Sequence, residues 1–302
     1  MLLTLVICYW VFSVALGLWA ALRVKNTRDF AVAGRHLPFY MVTATVFATW
    51  FGSEAVLGIP ATFIDGSLRD IVADPFGAAL CLILVGVFFA APLYRMKLLT
   101  IGDFYKRRYG RSVEVLTTLA IVLSYLGWVG AQLTALGLVF NVVSDGAISM
   151  TAGMWIGAGS ILIYTLFGGM WAVAITDLVQ MIVIVLGLLY IGGEVSDMVG
   201  GVSVVVDHAA AAGKLEFWPE ADLKAIIAFM AAACTMMLGS MPQQDVFQRV
   251  QSAKSEKIAV WGSILGGSLY FLFAFIPLFI GYAATIVAPD MVKNLMASDS
   301  QL

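Results

Sequence analysis

Two glycines, a proline and a carboxylate lie together inside one apolar run of this sequence. Gly52, Glu54, Gly58 and Pro60 fall within a predicted membrane span at residues 38–63. Glycine and proline loosen the hydrogen-bond ladder of a helix, and freed carbonyl oxygens are tolerated at membrane depth only where they are buried in protein or line a cavity. Such oxygens are hard ligands of the kind that an alkali cation requires. We therefore predict that this helix is broken and binds a cation.

Glu54 is the acid of this segment, and we expect it to be the one acid of the chain that no loop accommodates. An ionised side chain in mid-membrane costs about 2.5 to 3.5 kcal/mol on insertion scales, so it marks a functional site by default. Glu54 would bind an amine or hydroxyl of a substrate, carry a proton, or contribute to a cation site. The alternative is a protonated or hydrogen-bonded Glu that joins two helices or reaches water. We place Glu54 with Trp50 and Ser53 in a predicted solute site.

Two further groups of residues are predicted to line the same site. Tyr125, Trp128 and Gln132 follow a three-then-four spacing, which puts an amide and two aromatic rings on one helical stripe. That stripe lines a solute pocket or forms a hydrogen-bonded seam between helices, and the seam is favoured. The second group is Met236, Gly239 and Ser240, although core packing is the favoured role of the methionine.

The composition places these residues in a bilayer. Hydrophobic residues make up 61% of the 302, charged residues make up 12%, and the mean hydropathy is +0.95. The chain therefore lacks the polar surface of a water-soluble globule. Continuous apolar runs of about 20 residues predict helices rather than alternating strands. We predict an all-α, polytopic transmembrane bundle of eight spans, at residues 2–22, 38–63, 73–94, 112–142, 150–167, 171–193, 223–242 and 257–287.

The basic residues predict the orientation of the bundle. With the N-terminus outside, all but four of the 17 basic residues face inward, and the four are Arg69, Lys214, Lys224 and Lys293. We predict a multi-pass protein of the plasma (inner) membrane. The basic loops, such as residues 106–108, are expected to be solvated at the lipid headgroups and to bind no nucleic acid.

The positions of the cysteines and histidines argue against an enzyme and against a resident cofactor. Cys8, Cys81 and Cys234 lie inside apolar runs, and His36 and His208 lie in predicted loops. No metal-spaced cluster and no nucleophile with a base is found in the sequence.

The junction of the fifth and sixth spans carries the most specific motif. Residues 164–180 end one apolar run at Gly168-Gly169 and begin the next with Thr176-Asp177 and Gln180. This segment resembles the signature of the sodium:solute symporter family, a Gly-Gly turn followed by Thr-Asp-x-x-Gln. Asp177, expected in the first turn of a helix and three residues after its start, would otherwise complement the helix dipole. Weaker matches extend the resemblance over the chain, at residues 29–30, 34–35, 37–38, 58–60, 101–104, 248–249 and 253–254.

The resemblance implies a fold similar to the leucine transporter, with two inverted five-helix repeats. In one membrane domain, residues 1–37 would form an extra helix and a basic loop, 38–193 the first repeat, and 223–302 an incomplete second repeat. The resemblance also implies a sodium site with carbonyl ligands at Ala48 and Phe51 and hydroxyl ligands on a ninth helix, and it places Asp177 on the sodium path near the inner face. We therefore expect a longer protein with at least three more spans.

The function implied is sodium-coupled uptake of a small organic solute by alternating access, with sodium as coupling ion. Sugar symporters of the family carry an Asn and a Tyr where Met236 and Gly239 align, and proline symporters carry an Asp where Trp50 stands. An amino acid or organic acid is favoured over a sugar. The alternative is a transporter-like sensor module of a signalling protein, with kinase domains beyond residue 302. A membrane-embedded enzyme is the third and least supported hypothesis.

Overall fold

The computed structural model describes residues 2–292, which are helical along most of their length. Within that range the one β feature is an isolated bridge between Leu37 and Ala253. The predicted all-α class is confirmed, whereas Lys293, one of the four basic residues predicted to face outward, lies outside the described residues. The helices are α1 Leu2–Ala21, α2 Thr27–Val32, α3 Phe39–Trp50, α4 Ile59–Asp65, α5 Ala78–Leu84, α6 Ala90–Arg95, α7 Ile101–Tyr109, α8 Arg111–Val143, α9 Met150–Val199, α10 Val202–Ala211, α11 Leu223–Gly239, α12 Gln244–Ser252 and α13 Glu256–Val287, and π-helical turns cover Glu54–Gly58, Val72–Gly77 and Val85–Phe89.

Five helical segments of the described residues are long and apolar enough to cross a membrane, or seven if each of two bent pairs is one span. The 50-residue α9 extends about 75 Å at 1.5 Å per residue, more than twice the roughly 30 Å of a hydrocarbon core. Gly169 interrupts α9 with φ 48° and ψ −138°, as the predicted Gly-Gly turn requires. An added Cβ there would overlap the carbonyl oxygen of Phe30, so only glycine fits. Counted as two spans, α9 brings the total to the predicted eight.

The first of two compact units comprises residues 2–49, 84–180 and 242–266. Its glycines Gly262 and Gly266 on α13 allow that helix to approach α3 closely. A Cβ added to Gly266 would lie 2.7 Å from Cβ of Val46, and one added to Gly262 would lie 3.1 Å from Cβ of Val42. Small residues four apart are a common device for close helix packing in membranes.

A short amphipathic helix, α12, is anchored in the first unit by three glutamines. Gln244 accepts a 2.8 Å hydrogen bond from the Ile101 N–H, Gln248 donates to the Ala31 carbonyl at 2.5 Å, and Gln251 donates to the Leu93 carbonyl at 2.5 Å. The expectation that Arg249 and its neighbours form a solvated basic loop is therefore wrong, because α12 buries Val246, Phe247 and Val250.

Arg35 is also buried in this unit. It donates a 2.6 Å hydrogen bond to the Tyr94 carbonyl, and burial lowers the pKa of its guanidinium.

The second unit comprises residues 50–83, 181–241 and 267–292. Here α11 packs against the π-helical turn Val72–Gly77. The close approach depends on Gly77, because a Cβ added there would lie 2.9 Å from the Ala233 carbonyl oxygen. The chain after α4 runs beside the segment that precedes α11. Leu68 N–H donates to the Lys214 carbonyl at 2.9 Å, and Arg69 forms a 2.8 Å ion pair with Glu216.

Candidate functional site

The second span is interrupted where the sequence predicts. Helix α3 ends at Trp50, and the segment Glu54–Asp65 continues in a direction that differs by 58°. Between them the N–H of Gly52 donates to the carbonyl oxygen of Trp50 at 2.9 Å, two residues back instead of the four of a regular helix. Pro60, which has no N–H, follows at the start of α4. The predicted break is confirmed, and cation ligation by the carbonyls of Ala48 and Phe51 stays a prediction.

A buried carboxylate that the sequence did not reveal lies in the same unit as the Glu54 segment. Asp74 is 9% exposed at the start of the span Val72–Arg95, and Tyr270 of α13 is 0% exposed. The Tyr270 hydroxyl donates a 2.5 Å hydrogen bond to Oδ1 of Asp74. The Tyr270 ring meets Phe51 edge-on, with centroids 5.9 Å apart. The expectation that Glu54 is the one acid outside the loops is therefore wrong.

Glu54 lies within electrostatic reach of both members of this pair. Its side chain is exposed in this chain, whereas Asp74 is buried. Two carboxylates at short range repel each other when both are ionised, and a nearby cation relieves that repulsion. The arrangement of Glu54, Asp74 and Tyr270 therefore favours a positively charged ligand over an anion.

The other predicted solute residues of the second unit lie along two segments. Trp50 is 9% exposed at the end of α3, and Ser53 is partly exposed directly before Glu54. On α11, Met236 lies against Gly77, at 3.4 Å from the position of an added Cβ. The buried Ser240 donates a hydrogen bond to the Met236 sulfur at 3.7 Å, and Gly239 is exposed.

Tyr125, Trp128 and Gln132 lie in the first unit, on α8. The Tyr125 hydroxyl donates to Oδ1 of Asp245 at 2.7 Å and accepts the N–H of Asp245 at 3.2 Å, which ties α8 to the start of α12. Trp128 contacts Tyr125 edge-on at 6.3 Å and is 40% exposed. Tyr125 therefore serves a seam between helices, and a solute role for the three residues stays a prediction.

Asp177 also lies in the first unit, seven residues after the helix resumes at Met170. It is in the second turn rather than the first, so the expected first-turn position is wrong and its effect on the helix dipole is weak. Its Oδ2 is buried and has no hydrogen-bond partner, although Arg249 lies within electrostatic reach. A buried carboxylate oxygen with no donor is costly and suits a cation.

These features define a class: a polytopic helical membrane protein with a broken span and with buried acids. The model of the sodium:solute symporter family matches residues 30–300. The chain belongs to the sodium:solute symporter family.

Several relatives agree with that assignment, and a solved structure shares the fold. High-affinity choline transporter 1 of Torpedo marmorata is 29% identical over 270 residues, covering 84% of this chain and 45% of the relative. The sodium/glucose cotransporter of Vibrio parahaemolyticus is 26% identical over 324 residues, covering 96% and 56%. A Na+-coupled sialic acid symporter in a substrate-bound outward-open state shares the fold, with a TM-score of 0.81, 21% identity, and coverage of 97% and 62%. The chain spans about half the length of the curated relatives it matches.

Proposed function

We propose that the protein is a sodium-coupled symporter that takes up a small organic solute by alternating access. The observation that carries this proposal is the interrupted second span of a chain that belongs to the sodium:solute symporter family. No feature of residues 2–292 favours the sensor alternative. The proposed location is the plasma membrane, with the N-terminus outside and sodium entering from that side.

Sodium is the proposed coupling ion, bound by the carbonyl oxygens of Ala48 and Phe51 and then by Asp177 on the way inward. Gly52 supports the first site, because its N–H is directed to Trp50 instead of following the helical spacing back to Ala48. The buried, unpartnered oxygen of Asp177 supports the second. One charge that moves through 100 mV releases about 2.3 kcal/mol, which drives solute accumulation. Sodium and solute would raise each other's affinity by equal factors, since binding linkage is reciprocal.

The proposed solute carries a positively charged nitrogen, which Glu54 and Asp74 attract. Six of the matched relatives are named as choline transporters, and choline is a quaternary ammonium compound. Trp50, four residues before Glu54, is an aromatic residue of the kind that holds such groups. The sequence favours two solute classes over a sugar, amino acids and organic acids. An amino acid fits a site that attracts positive charge, because it has an ammonium group. An organic acid without one does not, since Glu54 and Asp74 would repel it.

Uptake into proteoliposomes tests the proposal. The protein expressed from its intact coding sequence is reconstituted, and radiolabelled choline, amino acids, organic acids and glucose are offered with and without an inward sodium gradient. We expect one solute that carries a positively charged nitrogen to accumulate only with the gradient. Accumulation of a sugar or a simple organic acid would overturn the assigned solute class, and indifference to sodium for every solute would overturn the coupling.

A further inference from the structure

Asp177 and Arg249, both in the first unit, each have a buried side-chain atom without a hydrogen-bond partner. The two residues are close enough to interact electrostatically. Oδ2 of Asp177 and Nε of Arg249 are each buried without a hydrogen-bond partner. Arg249 is the charged residue that acts electrostatically on Asp177, yet no ion pair at 4.0 Å or less joins them among the residues described. A gap of more than 4.0 Å therefore separates the carboxylate oxygens of Asp177 from the guanidinium nitrogens of Arg249.

Neighbouring groups do not fill that gap on the Asp177 side. The Thr176 hydroxyl donates within its own helix, to the carbonyls of Ala172 at 2.9 Å and Val173 at 3.0 Å. Tyr164 acts electrostatically on Asp177 but makes no hydrogen bond with Oδ2. The carboxylate is therefore placed to accept a cation, either a free ion or the guanidinium of Arg249.

The helix that carries Arg249 is anchored by more hydrogen bonds than the Arg249 side chain itself. Three glutamine contacts and the Tyr125–Asp245 pair fix α12. The guanidinium itself makes one hydrogen bond, from Nη1 to the Asp245 carbonyl at 3.2 Å on its own helix. A change of side-chain rotamer can therefore move the guanidinium while the backbone of α12 stays in place.

A guanidinium near a carboxylate opposes the binding of a second cation there. Like charges repel at short range, and this repulsion is weakly screened when the groups are partly buried. An arginine guanidinium is a permanent cation at physiological pH. It therefore acts as a permanent competitor for the site.

We propose that Arg249 is a positioning residue that displaces sodium from Asp177, acting as a tethered cation that occupies the carboxylate once the ion leaves. This inference rests on the proposed sodium coupling. The predicted consequence is weak, quickly reversible sodium binding at Asp177 and rapid return of the empty carrier.

Sodium-dependent thermal unfolding of the purified protein, without solute, tests the inference. We expect Arg249→Gln to lower the sodium concentration at half-maximal stabilisation about tenfold, within the range of measured couplings between sites. We expect Arg249→Lys, which keeps the charge, to stay within about twofold of wild type. Arg108→Gln is the matched control, because Arg108 is exposed and its side chain bonds only to the adjacent Tyr109 hydroxyl, at 3.3 Å.

A double-variant comparison separates competition from a structural effect. In an Asp177→Asn background, Arg249→Gln should change the sodium midpoint less than about twofold, because the shared carboxylate is gone. In proteoliposomes Arg249→Gln should slow net uptake severalfold and leave solute exchange at equal sodium unchanged.

A sodium midpoint that is unchanged or raised in a folded Arg249→Gln variant would overturn the inference and leave the coupling intact. If Arg249→Gln does not fold, Arg249→Lys is compared with Asp177→Asn. Equal sodium concentrations at half-maximal stabilisation in these two variants would overturn the inference. Absence of any sodium effect on the wild-type protein would overturn the coupling first.

Discussion

The hydroxyl of Tyr270 donates a 2.5 Å hydrogen bond to Oδ1 of Asp74, and both residues are almost fully buried. The two residues are 196 positions apart in sequence. Their contact ties the middle of α13 to the start of the span Val72–Arg95, beside the segment that carries Glu54. Within the second unit, a buried acid, its donor and a second acid therefore form one group.

Removal of the Tyr270 hydroxyl should destabilise the protein. Tyr270→Phe leaves Asp74 buried without this donor, which costs about 1 to 3 kcal/mol. We expect a fall of several degrees in the unfolding temperature in detergent. Tyr190→Phe, at an exposed tyrosine, is the control and should unfold like wild type. Equal unfolding temperatures for all three proteins would show that the bond contributes nothing.

Glu54→Gln should weaken solute binding more than sodium binding. The substitution keeps the size of the side chain and removes one charge of the acidic pair, so we expect the affinity for a cationic solute to fall at least about tenfold. Uptake measured over a range of solute concentrations, with sodium saturating, reports the change as a rise in KM. Glu194→Gln, at an exposed acid of α9, should leave KM unchanged. Unaltered affinity and turnover in Glu54→Gln would assign Glu54 a structural role.

Gly266→Ala should disturb the packing of α13 on α3. The added Cβ would lie 2.7 Å from Cβ of Val46, and such overpacking costs about 1 to 3 kcal/mol. Because α3 leads directly into the break, we also expect slower uptake. Gly187→Ala on α9 has no neighbouring atom within 4 Å and serves as the control. The close approach would be refuted by a Gly266→Ala variant as stable and active as Gly187→Ala.

Lys214 should stabilise the end of the second span. Its Nζ donates to the carbonyls of Ile64 at 2.6 Å and Asp65 at 3.2 Å, which belong to the last turn of α4. Lys214→Met removes a charged donor from a helix C-terminus, a loss of about 1 kcal/mol. Hydrogen exchange of residues 59–70 should become several times faster. The same segment should keep its wild-type rate in Lys224→Met, where an exposed lysine is replaced.

The sequence predicts the break in the second span and the turn at Gly169 because both depend on local chemistry. Gly52 and Pro60 weaken a helix wherever they occur, and Gly169 alone accommodates the Phe30 carbonyl. The number of spans follows from the lengths of the apolar runs. These features need no knowledge of which helices are neighbours.

The features that the sequence misses depend on contacts between distant segments. Asp74 lies at the start of an apolar run and resembles a loop acid until Tyr270 is known to bury it. Helix α12 resembles a basic loop because its glutamine anchors bind backbone groups of Ala31, Leu93 and Ile101, which no periodicity reveals. The sequence places Asp177 a turn too early because the exact restart of α9 depends on the close packing at Gly169.

The most direct test of the account is a cryo-electron microscopy map of the intact protein in sodium. We predict a helix interrupted between Trp50 and Glu54, with density for an ion against the carbonyl oxygens of Ala48 and Phe51. An unbroken α-helix from Val46 to Ile59 that faces only acyl chains would contradict the account, as would a broken helix with no ion at these oxygens.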